Sequence, residues 1–177
     1  IANPHKGSET PLGLATKRGN VDILKVFLES GIDINSTDHA GETLLSLASF
    51  HGHLETVKFF LNKGADINLK NIKGMTPLIV SSLNNQFETA KVLLENSAQV
   101  DFVDYQGNTA LMYAVYFSHE RLVELLLSFN AKIRKKNSLS ASALDIAKSK
   151  ENRRIETLLL KALEENPEEE IEEKASE

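Results

Sequence analysis

The sequence predicts an all-α solenoid of helix–turn–helix units joined by β-hairpin-like turns, and three observations predict it. Thr10, Thr43, Thr76 and Thr109 recur every 33 residues, and Ser142 continues the count. A similar phrase surrounds each one. It reads Ser-Glu-Thr-Pro-Leu-Gly-Leu-Ala at residues 8–15 and Gly-Met-Thr-Pro-Leu-Ile-Val-Ser at 74–81, with further copies at 41–48, 107–114 and 140–147. No insertion interrupts the period, and a constant period marks one structural unit stacked on itself, a quasi-one-dimensional fold.

The second unit, residues 38–70, shows the elements in order. Asp-His-Ala-Gly at 38–41 is a turn, with Gly41 supplying the positive φ of a hairpin tip. Thr43 offers its hydroxyl to the first free N–H groups of a helix. In the first and third units Pro11 and Pro77 follow, at the helical position where a missing N–H costs nothing. This short helix runs to about His51, and Gly52 turns the chain. A second helix carries Leu54, Val57 and Leu61 three and four apart on one stripe, widened by Phe59 and Phe60. Gly64 caps it from the left-handed region, and Ala-Asp-Ile-Asn at 65–68 leads to the next turn.

Turn, helix, turn, helix in 33 residues, with Gly-x-Thr-Pro-Leu and then Gly-Ala-Asp-Ile-Asn, resembles the ankyrin repeat. Five units fit, at about 5–37, 38–70, 71–103, 104–136 and 137–163, within a domain of residues 1–163 followed by an acidic extension, 164–177. The histidine that follows Thr-Pro-Leu in the family is replaced by Gly13, Ser46, Ile79, Met112 and Asp145. There it ties the threonine hydroxyl into a network, so its loss predicts about 1 kcal/mol less stability per missing hydrogen bond. The interhelical glycine survives as Gly19 and Gly52 but becomes Asn85, Ser118 and Glu151. Asparagine tolerates the left-handed region; Ser118 and Glu151 predict a different turn and a stack better defined in its amino-terminal half.

The ends differ. Where earlier second helices carry Leu24, Val57, Ala90 or Val123, the fifth has Glu156, and with Arg153 and Arg154 it reads as a polar cap. Lys161 to Glu165 extend that helix, and Asn-Pro-Glu-Glu at 166–169 reads either as a fresh helix start or as the opening of a disordered acidic tail. No polar cap opens the chain, so either an earlier unit is missing or the first unit is exposed. With Ile1 rather than methionine at its start, the chain is expected to be an excised or processed fragment.

Composition narrows the function. An apolar content of 41% in 177 residues suits one continuous repeat core without a separate enzyme beside it. The absence of cysteine excludes disulfides, thiol nucleophiles and thiolate zinc sites, and fits a cytoplasmic location, or a host-cell cytosol for a secreted protein. No apolar run has the length of a membrane span, so membrane insertion is not expected. Basic residues number 10 against 14 acidic in 1–131, nine against three in 132–163, and one against eight in 164–177. Nucleic acid is not the expected partner, because the basic segment lacks interleaved aromatics and the glutamates beside it compete. That tail could instead dock over Lys136, Lys148 and Lys150 and control access.

Chemical motifs are missing. His51 and His53, with His39 nearby, could begin a metal site, but His53 and His119 occupy the family's structural Gly-His position, and no metal is expected. There is no phosphate loop, serine elbow or carboxylate pair with an adjacent base, so no catalytic residue and no cofactor is assigned. The resemblance places Asn35 and Asn68 where some ankyrin proteins are hydroxylated; the plainer reading is a hairpin residue bonding its own backbone.

In the family, ligands meet the hairpin tips and first-helix faces, which form a concave groove. By phase those positions hold Lys17, Arg18, Phe50, His51, Leu83, Asn84, Tyr116, Phe117, Ser149 and Lys150 on first helices. The tips hold Glu9, His39, Ala40, Glu42, Ile72, Lys73, Met75, Tyr105, Gln106 and Asn108. The middle units are apolar and aromatic, the ends basic, and one of Tyr116 and Phe117 could instead fold inward. Phe50, Tyr105, Tyr116 and Phe117 are the expected anchors, with Lys17, Arg18 and Lys73 steering. The expected function is a monomeric module that binds a protein or peptide carrying apolar and acidic residues. The alternative is a regulatory or targeting domain of a larger enzyme, channel or secreted bacterial effector.

Overall fold

A computed structural model describes residues 10–38 and 41–166. These form ten helices in five pairs: α1 (Pro11–Lys17) with α2 (Val21–Glu29), α3 (Leu44–His51) with α4 (Leu54–Asn62), α5 (Pro77–Leu83) with α6 (Phe87–Glu95), α7 (Ala110–Tyr116) with α8 (Glu120–Ser128), and α9 (Ala143–Ser149) with α10 (Arg153–Glu165). Odd-numbered helices pack in file, α1 on α3 through to α9, and even-numbered helices form a second row behind them. Among the described residues the only extended pairing is a bridge between Thr37 and Thr43. No helix there is long and apolar enough to cross a membrane.

Each first helix begins as the spacing predicts. Thr10, Thr43, Thr76, Thr109 and Ser142 sit in extended backbone, and each side-chain oxygen accepts the N–H three residues on. Pro11 and Pro77 occupy the first turn. At the position of the family's histidine, Ser46 is fully buried and its hydroxyl has no hydrogen-bond partner. Leu24, Val57, Ala90 and Val123 expose no surface, so one apolar seam runs through four successive units.

Two expectations fail. Ser118 (φ 58°) and Glu151 (φ 55°) do not make a different turn; they adopt the left-handed conformation of Gly19, Gly52 and Asn85. Stacking fixes the hairpin angle in every unit, and the turn residue yields to it. The amino-terminal half is also not the better packed. Helix α2 buries Leu24 alone, and Ile23 is 45% exposed where its equivalents Thr56, Thr89, Leu122 and Ile155 are at most 1% exposed. Neighbours decide burial here, and among the described residues the first pair has a stacked neighbour on one side only.

The carboxy-terminal end is polar, as expected of a cap. Glu156 is half-buried, Arg153 and Arg154 are exposed, and Lys148 is exposed where Thr16, Ser49, Ser82 and Val115 are buried. Helix α10 runs on to Glu165. Beyond Asn166, the expected helix start and acidic tail lie outside the described residues, as do the opening residues, Glu9, His39 and Ala40.

Candidate protein-binding face

The ends of the first helices are held by the second helices of the next unit. His53 Nε2 lies 2.6 Å from the Lys17 carbonyl oxygen, and His119 Nε2 lies 3.4 Å from that of Leu83. Gln86 Nε2 donates to Phe50 O at 3.2 Å, and Asn152 Nδ2 donates to Ser118 Oγ at 3.0 Å. The histidines at this position therefore belong to the scaffold, and each bond fixes the exit of a first helix beside a groove residue. Among the described residues no three metal-ligating side chains converge.

The tips are built by short polar side chains. Asn71 Oδ1 accepts the N–H groups of Lys73 (3.0 Å) and Met75 (2.9 Å); Asp104 Oδ1 accepts those of Gln106 (2.9 Å) and Asn108 (2.8 Å). Asn137 does the same for Leu139 and Ala141, both at 3.0 Å. Successive tips are stitched through backbone: Ile72 N–H donates to Gly41 O (3.0 Å), Tyr105 N–H to Lys73 O (3.3 Å) and Ser138 N–H to Gln106 O (2.9 Å). A Cβ at Gly41 would stand 2.7 Å from Ile72 Cβ, and one at Gly74 2.7 Å from the Tyr105 ring. Glycine is required there by close approach as well as by φ. Buried Asp104 also accepts from the Tyr113 hydroxyl at 2.6 Å. Burial first, then this carboxylate, pushes the phenol from 10.0 up to about 12. In the last unit Ser142 donates its hydroxyl and N–H to Asp145, which lowers that carboxyl's pKa.

A second stitch follows the second helices, and it corrects the reading of Asn35 and Asn68. Neither side-chain oxygen bonds its own hairpin. Asn35 Oδ1 accepts from Asp66 N–H and Asn68 Oδ1 from Gln99 N–H, both at 2.9 Å, and Asp101 Oδ1 continues the series to Lys132 N–H at 2.8 Å. Each bond spans 31 residues, so the motif ties one unit to the next.

On this frame the predicted aromatic residues face solvent. Phe50, Ile72, Tyr105, Tyr116 and Phe117 are between 46% and 74% exposed, so neither Tyr116 nor Phe117 folds inward. Arg18, His51 and Lys73 are exposed too, while Lys17 is half-buried. Met75 and Leu83 are also half-buried, and Met75 packs against the core, so both offer less surface than their phase suggests. Sequence reasoning passed over Leu139, which is 85% exposed at the tip of the last unit. Its phase with Gln106 and Lys73 was the available signal, obscured by the basic residues around it.

Two side-chain clusters repeat one geometry. Phe50 meets His51 edge to face at 4.9 Å, and His51 stacks on His53 at 5.7 Å. Sixty-six residues later Tyr116 meets Phe117 edge to face at 4.9 Å, and Phe117 stacks on His119 at 5.9 Å. Lys150 Nζ sits 3.9 Å above the Tyr116 ring, a cation–π contact from the next unit.

The family model described as ankyrin repeats (three copies) matches residues 1–71 and 69–139, and the fifth helix pair lies beyond the matched residues. No curated protein matches the chain. With more than half its length matched, and with five stacked helix pairs in the structure, the chain belongs to the ankyrin repeat family.

Proposed function

We propose that this chain is a binding module that takes another protein or peptide against the face formed by its first-helix ends and hairpin tips, and that it performs no catalysis. Ankyrin repeats are in general protein–protein interaction modules, and their fold is typically non-catalytic. The observation that carries the reading is the run Phe50, Ile72, Tyr105, Tyr116 and Phe117, large apolar side chains close to half exposed or more, with Phe50 and Tyr116 in one phase of the repeat, Ile72 and Tyr105 in another, and Phe117 beside Tyr116. Aromatic anchors rimmed by charge are what an interface hot spot needs. Lys17 and Arg18 at one end, Lys73 on a tip and Lys150 at the other end give the face a basic rim that steers an acidic partner. A scaffold already fixed by inter-unit hydrogen bonds loses little conformational entropy on binding, which suits an extended peptide or a flat protein face bound by the monomer.

The test is a pull-down from the source cell's lysate, comparing the native chain with a Phe50→Ala, Tyr116→Ala, Phe117→Ala variant whose folding is verified by circular dichroism. A protein held by the first and lost from the second supports the reading. Capture by both moves the site elsewhere, and capture by neither removes the basis for an autonomous binding module. A second reading, a regulatory or targeting domain of a larger protein, is favoured by the exposed apolar surface of Ile23, Val26 and Ile32 at one end of the stack, a face a neighbouring domain would cover. Sequencing the full reading frame tests it.

A further inference from the structure

The two aromatic clusters have a separation, and the separation specifies a partner. Phe50 is the penultimate residue of α3 and Tyr116 ends α7, with α5 packed between them. Packed helices lie roughly 8–10 Å apart, so the two stations are about 16–20 Å apart along the stack. At the equivalent station the intervening unit has no ring, only half-buried Leu83 and Asn84. Resting on the binding function proposed above, we propose that the groove selects an extended acidic peptide bearing two large apolar residues six positions apart.

Six follows from chain geometry. At about 3.3 Å per residue, an extended chain covers 16–20 Å in five or six residues, and only an even separation puts both side chains on the same face. A polyproline II chain, with about 3.1 Å per residue and three residues per turn, also returns to the same face at six. Charge then sets the flanks. One helix spacing beyond Phe50 lie Lys17 and Arg18 at the end of α1, and on the far side of Tyr116 Lys150, which follows α9, brings its Nζ back to 3.9 Å from the Tyr116 ring. A further spacing of roughly 8–10 Å is about three residues, and in the polyproline II form every third residue returns to the same face, so a carboxylate belongs three positions outside the residue over Phe50, and the one on the other flank faces Lys150. Lys73 on a middle tip adds a fourth cation, while three nearby acids are engaged within the scaffold. Glu42 accepts from Asn71 Nδ2 at 2.7 Å, Asp104 is buried beneath its tip, and Asp145 is held by Ser142.

The experiment is isothermal calorimetry with synthetic thirteen-residue peptides on a serine–alanine background. The reference peptide carries phenylalanine at its fourth and tenth positions and glutamate at both ends. Others of equal composition place the phenylalanines four or five apart. The proposal expects the reference to bind at least tenfold more tightly than either, with Phe50→Ala and Tyr116→Ala each abolishing the difference. Equal affinity at all spacings, lost on Phe50→Ala, would overturn the six-residue register and leave the groove reading standing. Binding indifferent to both substitutions, or no binding by any peptide at about 1 mM, would overturn the register, and the former would overturn the groove reading with it.

Discussion

Replacing Glu151 with glycine is expected to stabilise the protein, and the structure gives the magnitude. Glu151 joins α9 to α10 with φ at 55°, and its exposed side chain makes no contact that rewards the strain. A left-handed conformation costs a non-glycine residue roughly 1–2 kcal/mol, and glycine returns about 0.4–1 kcal/mol of that by loosening the unfolded chain. The net expected gain is about 0.5–1 kcal/mol, or roughly 1–4 °C in Tm for a protein of this size. Ser118 has nearly the same φ, 58°, but its hydroxyl accepts from Asn152 Nδ2 at 3.0 Å. Losing that bond costs about 0.5–1 kcal/mol, so Ser118→Gly should come out close to neutral. Urea unfolding at constant slope measures both. A Glu151→Gly protein no more stable than the parent, or a Ser118→Gly protein that gains as much, would refute the reasoning that stacking imposes the turn.

Three further outcomes follow from particular contacts. Asn68→Ala should cost about 0.5–1.5 kcal/mol by removing the acceptor of Gln99 N–H, whereas Asn68→Asp, which keeps that oxygen as Asp101 does naturally, should stay within about 0.5 kcal/mol in the same urea assay. Ile23→Thr should change stability by less than about 0.5 kcal/mol because the residue is 45% exposed, whereas Leu122→Thr at the equivalent buried position should cost about 2–4 kcal/mol. Tyr113 should ionise at about 12, against its ordinary 10.0, in a near-ultraviolet absorbance titration, and Tyr113→Phe should delete that step. Its folded pKa is raised, so its contribution to stability is complete below the unfolded value of 10.0 and is lost as pH rises through about 12.

Thr10, Thr43, Thr76, Thr109 and Ser142 made the helix starts legible, because a cap acts within four residues and needs no tertiary information. The groove residues were legible for a related reason: phase transfers a position from one unit to the next. Features that depend on the neighbouring unit were not legible. Asn68 finds its donor 31 residues away, and Met75 loses exposure to a core that the sequence alone does not locate around it. At Ser118 and Glu151 local preference points to a different turn, and stacking overrides it. Ile23 shows the converse, an apolar residue at a core phase left exposed because no described unit stacks on its side.

Hydrogen–deuterium exchange of the chain with and without its captured partner tests the central claim most directly. Slowed exchange is predicted at the first-helix ends, residues 50–51, 83–84 and 116–117, and at the tips, residues 72–75 and 105–108, with α4, α6 and α8 unchanged. Protection confined to α4, α6 and α8 would place the partner on the opposite layer and contradict the account.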